Sequence, residues 1–178
     1  DQMDIAGERS EILTDNDATK GNITNIGRHM AQARELLELD IPGFYLPHNC
    51  DYRGRVYTIP DFNFQKADHM RGLFLFANKT EVNSLTVSDI HFQIANAWGN
   101  KIDKLTYEGR EEWAVENLDM ILAVGKDFTS TFDLWREADE PFQFLAGCRE
   151  RYNYEQHGDG YLTGLPIPLD ATQSGVQH

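Results

Sequence analysis

Two prolines placed two residues apart, Pro166 and Pro168, limit what this chain can fold into more than any other pair of residues. They alternate with Leu165, Ile167 and Leu169 in a short apolar stretch, Gly164–Asp170. Alternation at period two predicts a strand with the three aliphatic side chains on one face. Proline has no N–H to offer a neighbouring strand, and both prolines fall on the same parity. One edge of the predicted strand is therefore unpaired for part of its length. The strand ends in a carboxylate, Asp170, followed by small and polar residues that suit a turn into a helix. A carboxylate there has three uses. It can ligate a hard cation such as Mg²⁺, act as a general acid or base, or cap the next turn or helix. Taken alone, the stretch favours the cap.

A chain of 178 residues can build one ordinary domain with its own core. The 40% apolar and 11% aromatic content is that of a globular protein. No apolar run reaches the roughly 18 residues a membrane span needs. The first ten residues have neither the basic start nor the apolar run of a signal peptide. The chain opens on Asp1 rather than Met and stops soon after Asp170, so it reads as a piece of a longer protein. Cys50 and Cys148 lie far apart, outside any metal-type spacing, and read as two reduced thiols.

A net charge of −13 argues against a free-standing nucleic-acid-binding module. The charge is uneven, however. Residues 108–140 carry ten acids against three bases, whereas residues 48–79 carry five bases against three acids. The second segment can still receive an anion.

Helices account for most of the rest. Asp15–Lys20 reads as a turn or linker, with a helix end before it. Ile23, Ile26, Met30, Ala33 and Leu37 then recur at steps of three and four, predicting a helix that ends near Asp40, before Pro42. Residues 43–46 and 55–59 are aromatic and β-branched and predict two strands around a polar loop, Pro47–Gly54. Asp68 suits the cap of a short helix running to Ala77. Further helices are predicted at Ser84–Gly99, at Tyr107–Gly125 with an acidic solvated face, and from Pro141 through Tyr152. Gly158–Gly160 is a loop before the last strand. A small sheet with a run of helices inserted between its strands is an α+β architecture.

Asp51-Tyr-Arg-Gly-Arg55 is the second informative stretch. Two arginines flank a glycine at the base of a predicted hairpin. Glycine permits a close backbone approach or a positive φ, and guanidinium forks match phosphate oxygens. An Arg–Asp ion pair that pins the loop explains the same residues equally well.

The two stretches together, Pro47-His-Asn-Cys-Asp-Tyr-Arg-Gly-Arg-Val-Tyr57 and Leu169-Asp-Ala-Thr-Gln-Ser-Gly-Val-Gln-His178, resemble the bacteriophage-type single-subunit DNA-directed RNA polymerases. The first resembles the loop and strand that open the palm of these enzymes, and the second resembles their motif A. Met70–Ala77 and Glu140–Cys148 agree in order and separation. The resemblance spans about residue 20 to residue 178, and is closer to phage than to mitochondrial members.

The resemblance implies a right-hand polymerase fragment. Residues 1–41 correspond to the end of the thumb, 42–79 to the first part of the palm, 80–160 to a mostly helical palm insertion, and 161–178 to a palm strand with motif A. Asp170 matches the catalytic aspartate that binds Mg²⁺, and Ala171 a position that offers its backbone carbonyl to a metal. That position is usually glycine in the family, so Ala171 is a departure. Asp51, Gly54 and Arg55 match the loop that contacts the template and the RNA–DNA hybrid. Lys104, across a gap, falls where the family has a lysine near the incoming triphosphate. The implied partners are a DNA template and promoter, the RNA transcript and NTPs. No membrane is involved, and the full-length enzyme is expected to be monomeric, in the cytoplasm of an infected host cell. The second metal-binding aspartate and the fingers residues belong to later motifs, so these residues alone are expected not to make RNA. The alternatives are a non-enzymatic phosphate- or partner-binding domain and a piece of another template-directed polymerase. His48, His91, His157 and His178 form no ligand spacing, and Trp98, Trp113 and Trp135 read as core.

Overall fold

The computed structural model describes the backbone from Gln2 to Leu169, and side chains from Thr14 onward except residue 18. It divides into two units, residues 1–45 and 46–178. The first is dominated by one long helix, α1 (Gln2–Glu38). The turn expected at Asp15–Lys20 is helical instead. No proline interrupts this run, and the weak helix preference of Asp and Asn, a few tenths of a kcal/mol each, is too small to break a continuing helix. Lys20 and Asp17 pair across one turn at 3.7 Å. α1 ends where expected, with Asp40 at a positive φ of 46°. The stripe read from the sequence is real but uncovered: Ile23, Ile26, Met30 and Leu37 are all exposed.

The second unit begins with a hairpin of β1 (His48–Cys50) and β2 (Val56–Thr58), antiparallel, with Asn49 opposite Tyr57. β2 lies inside the stretch expected to be a strand. Its partner does not: 43–46 is irregular, and the pairing strand is taken from the predicted loop. After a short helix, α2 (Asp68–Arg71), comes β3 (Thr80–Val82). Then follow α3 (Val87–Trp98), a 3₁₀ turn (Ile102–Lys104), α4 (Tyr107–Glu116), α5 (Leu118–Lys126), α6 (Phe132–Trp135), α7 (Pro141–His157) and β4 (Tyr161–Thr163). β4 returns to pair antiparallel with β3, Thr80 opposite Thr163. The helices are thus inserted between two paired strands, as α+β reasoning expects. Among the described residues, however, the strands form two separate two-stranded sheets rather than one.

The core lies among α3, α5 and α7. Ile94, Ile121, Val124, Phe144 and Cys148 are completely buried. Burying a side chain such as Phe144 stabilises the fold by ~1.5–3 kcal/mol. Trp98 packs at tilted angles against Trp113 and Phe144, with ring centroids 5.5 and 5.2 Å away; Trp98 and Trp113 border the core, and Trp135, 7% exposed, is part of it. Two glycines set the helix spacing. A Cβ on Gly147 would stand 2.7 Å from Ile94 Cγ1, and one on Gly125 would collide with the Cys148 carbonyl oxygen. Gly125 was expected to stop its helix, but α5 continues to Lys126; the glycine is there for close approach to α7. The single helix expected over 107–125 is broken at Asn117, whose amide turns back to the Trp113 carbonyl at 2.8 Å.

The strand expected along 164–169 is not formed. Regular pairing ends at Thr163, and the chain continues as irregular backbone to Leu169. Pro166 and Pro168 withhold the donors that a ladder needs, so among the described residues no ladder continues past Thr163, and the Gly164 carbonyl is met by the Phe76 N–H alone. Leu165 still packs against the core.

Candidate nucleic-acid interface

The β1–β2 hairpin turns through Asp51–Arg55, and one carboxylate organises the turn. Asp51 Oδ1 accepts the main-chain N–H of Arg53 at 2.8 Å and of Arg55 at 3.0 Å. Its Oδ2 accepts Nε and Nη2 of Arg53, both at 3.2 Å. The Asp51 N–H donates to the Arg55 carbonyl at 2.9 Å, and the Gly54 N–H to the Asp51 carbonyl at 3.0 Å. Gly54 sits at φ +77° with open space around its α-carbon, so the requirement for glycine is conformational rather than steric. Desolvation acts to raise the Asp51 pKa, but the N–H groups of Arg55 and Arg53 outweigh it and hold the carboxyl below its ordinary value.

This arrangement separates the two arginines. Arg53 is consumed by the loop: it pairs with Asp51 and lies 5.5 Å from the centroid of the Tyr52 ring. Arg55 has only its backbone engaged, and among the described residues its exposed guanidinium has no hydrogen bond or ion pair. The ion-pair explanation of the motif is met by Arg53, and the guanidinium of Arg55 stays open to solvent. Tyr52, 94% exposed, stands at the tip beside them.

The base of the hairpin is held by a residue that pattern reading missed. Gln65 extends the edge of β2 as a strand would: its Oε1 accepts the Thr58 N–H at 2.8 Å, and its Nε2 donates to the Val56 carbonyl at 3.1 Å. Asn63, 1% exposed, orders the turn before it, and its Oδ1 accepts the Gln65 N–H at 2.8 Å. An amide seven to nine positions from its partners leaves no periodic trace in a sequence. Phe62, Phe64 and Phe74 pack as a small aromatic cluster under the hairpin.

Lys104 lies elsewhere, on the 3₁₀ turn between α3 and α4. Its ammonium is 2.5 Å from Asp103, with the side chain 79% exposed. Arg110 fixes that turn, donating to the Asp103 carbonyl at 2.7 Å and to Asn96 Oδ1 at 2.6 Å. No hydrogen bond or ion pair joins Lys104 to the hairpin among the described residues. Asp170 and Ala171 lie outside the described residues. Among the described residues no group of three or more His, Cys, Asp or Glu side chains could hold a metal ion, and no helix is long and apolar enough to cross a membrane. Cys50 is exposed and Cys148 buried, both as free thiols.

Comparison with known proteins gives a consistent result. Residues 81–178 match the family model for DNA-dependent RNA polymerase. The chain is 36% identical over 138 residues to the mitochondrial DNA-directed RNA polymerase of Neurospora crassa, covering 76% of this chain and 10% of that protein. It is 36% identical over 135 residues to the DNA-directed RNA polymerase of Enterobacteria phage T3, and 35% identical over 135 residues to T7 RNA polymerase of Escherichia phage T7; each match covers 75% of this chain and 15% of the relative. The chain therefore spans only a small part of the relatives it matches. The phage and mitochondrial identities are level, so the closer likeness to phage members expected from the motifs does not reappear in them. With its family model covering more than half of its length, this chain belongs to the DNA-dependent RNA polymerase family that includes the phage and mitochondrial enzymes.

Proposed function

We propose that this chain contributes part of the palm to a right-hand polymerase that transfers ribonucleotides from NTPs to the 3′ end of an RNA, directed by a DNA template. Residues 1–41 are the end of its thumb, 42–79 the opening of the palm, 80–160 a mostly helical palm insertion and 161–178 the segment that carries a palm strand and motif A. Family membership supports the reaction class. The observation that carries the local reading is the division of labour in the hairpin. Asp51 and Gly54 shape the turn, Arg53 neutralises Asp51, and Arg55 is left, among the described residues, with an unpaired guanidinium. A fork of N–H donors on a rigid turn suits a phosphate backbone, so Arg55 holds the template or the RNA–DNA hybrid.

Asp170 and the backbone carbonyl of Ala171 are the proposed metal ligands. Both are hard oxygen donors, as Mg²⁺ prefers, so the donor set fits that ion. Bound Mg²⁺ supplies charge neutralisation for phosphoryl transfer. Lys104 is proposed to approach the triphosphate; its exposure lets it exchange Asp103 for a phosphate oxygen. Membership in a polymerase family tells against the non-enzymatic binding module, and the motif A tail against other template-directed polymerases. The phage-encoded assignment, with a monomeric enzyme acting at a promoter in the cytoplasm of an infected cell, rests on the motifs.

The test is Asp170→Asn in the full-length enzyme. Nucleotide addition should be abolished while promoter binding, measured by gel shift, stays near wild type. RNA synthesis that survives the change removes Asp170 from the metal site.

A further inference from the structure

The backbone that leaves β4 is clamped from two sides just before it heads for Asp170. On one side stands Glu150 of α7, 9% exposed. Its Oε2 accepts the Thr163 hydroxyl at 2.6 Å and the Tyr161 hydroxyl at 3.0 Å. The same Thr163 oxygen accepts the main-chain N–H of Leu165 at 3.1 Å. Thr163 is therefore a relay. Because its proton is committed to Glu150, its lone pair faces the next turn of backbone and fixes the direction of residues 164–165. On the other side the Phe76 N–H donates to the Gly164 carbonyl at 2.7 Å. A Cβ at Gly164 would stand 2.5 Å from the Phe76 carbonyl oxygen, so only glycine lets the two strands of backbone lie this close. These contacts take over where ladder pairing ends, in the stretch whose prolines cannot sustain it.

We propose that Glu150 and Thr163 are positioning residues for the metal site proposed at Asp170: their hydrogen-bond relay sets the direction in which residues 164–165 leave β4, the segment that leads to it. This inference rests on the reading of Asp170 as a metal ligand. Neither residue touches substrate or metal. They act through the backbone, as outer-sphere partners commonly do in tuning a metal site. An acidic residue on α7 and a hydroxyl on β4 serve together because the hydroxyl must donate and accept at once, which a valine of the same shape cannot do.

The experiment uses the full-length enzyme carrying Thr163→Val, Thr163→Ser, Glu150→Gln or Glu150→Leu, with Asp170→Asn as reference. Two quantities are read: amide hydrogen exchange of the peptide spanning residues 161–169, and the Mg²⁺ concentration giving half-maximal RNA synthesis. Thr163→Val should speed exchange at the Leu165 amide and raise the Mg²⁺ midpoint by about tenfold. The KM for NTP at saturating Mg²⁺ should stay within about twofold, since no contact to substrate is removed. Thr163→Ser and Glu150→Gln keep a donor and an acceptor in place and should behave as wild type. Glu150→Leu should follow Thr163→Val; if the leucine variant fails to fold, the shape-conserving valine variant carries the test. Wild-type exchange and an unchanged Mg²⁺ midpoint in Thr163→Val, with Asp170→Asn inactive, would overturn the relay alone. Synthesis surviving Asp170→Asn would instead overturn the metal-ligand reading on which the relay depends.

Discussion

The Asp68 carboxylate accepts the main-chain N–H of Phe142 at 2.7 Å, across 74 positions of sequence. It also accepts the Gln143 N–H at 3.1 Å. Asp68 was expected to cap its own helix; it caps α7 instead, and α2 is left with four residues and no side-chain cap. Beside it Arg71 pairs with Glu140 at 2.8 Å, and the Gln143 amide donates to the same Glu140 at 2.6 Å. A carboxylate at the positive end of a 17-residue helix gains from both orphan N–H groups and the helix dipole. The α2 turn, which follows the hairpin, is thereby tied to the central helix of the core.

Asp68→Ala should therefore lower stability by about 1–2 kcal/mol, the usual worth of an N-cap, with Asp68→Asn losing less because one acceptor remains. Urea titration measures both. Equal and negligible losses would mean that solvent replaces the carboxylate without penalty.

The two arginines of the hairpin should separate by salt dependence. In the full-length enzyme bound to template, Arg55→Ala should reduce the slope of log K against log salt by about 0.7–0.9, the release expected for one phosphate contact. Arg53→Ala should weaken binding with a smaller change of slope, because its charge is already spent on Asp51. Identical slopes for the two variants would contradict the assignment.

His91 predicts an acid sensitivity. It is 4% exposed on α3, and its Nε2 accepts Nε of Arg151, 3.1 Å away on α7. Arg151 is itself paired with Glu155 at 2.8 Å. Burial, and secondarily the Arg151 charge, pushes the imidazole down from 6.5 to about 4. The unfolded chain takes up this proton near 6.5 and the folded chain only near 4. Between those values the unfolded state binds more protons, so stability falls as pH falls through that window and is unaffected above it. His91→Gln keeps an acceptor for Arg151 but does not titrate. Its stability, followed by denaturant midpoint, should decline less than wild type between pH 6.5 and 4. Parallel curves would show that other groups govern the acid limb.

Local signals were legible where local forces rule. The aliphatic spacing of α3 and the proline at the start of α7 located those helices, and Gly54 marked a turn that requires positive φ. Strands of three residues were harder. β3 was missed because three residues carry no usable periodicity, and β1 was displaced because its register on β2 follows the geometry of the Asp51 turn. The Asp-Tyr-Arg-Gly-Arg motif was visible at once, but not which arginine the aspartate would take.

The sequence by itself determined the α+β class, the helical run between the strands, the donors missing at Pro166 and Pro168, and the two motifs that resemble a polymerase palm, but not that regular pairing stops at Thr163. Those follow from side-chain periodicity, proline's missing donor and the identity of neighbouring residues, all of which are properties of short stretches. Tertiary structure alone decided that Asp68 caps α7, that Gly125 is a point of helix contact rather than a stop, that Asp51 takes Arg53 and not Arg55, and that Glu150 holds the exit of β4. Each of these depends on which donor reaches which acceptor, or which backbone approaches which. Between residues far apart in the chain, only the packed three-dimensional arrangement supplies that answer.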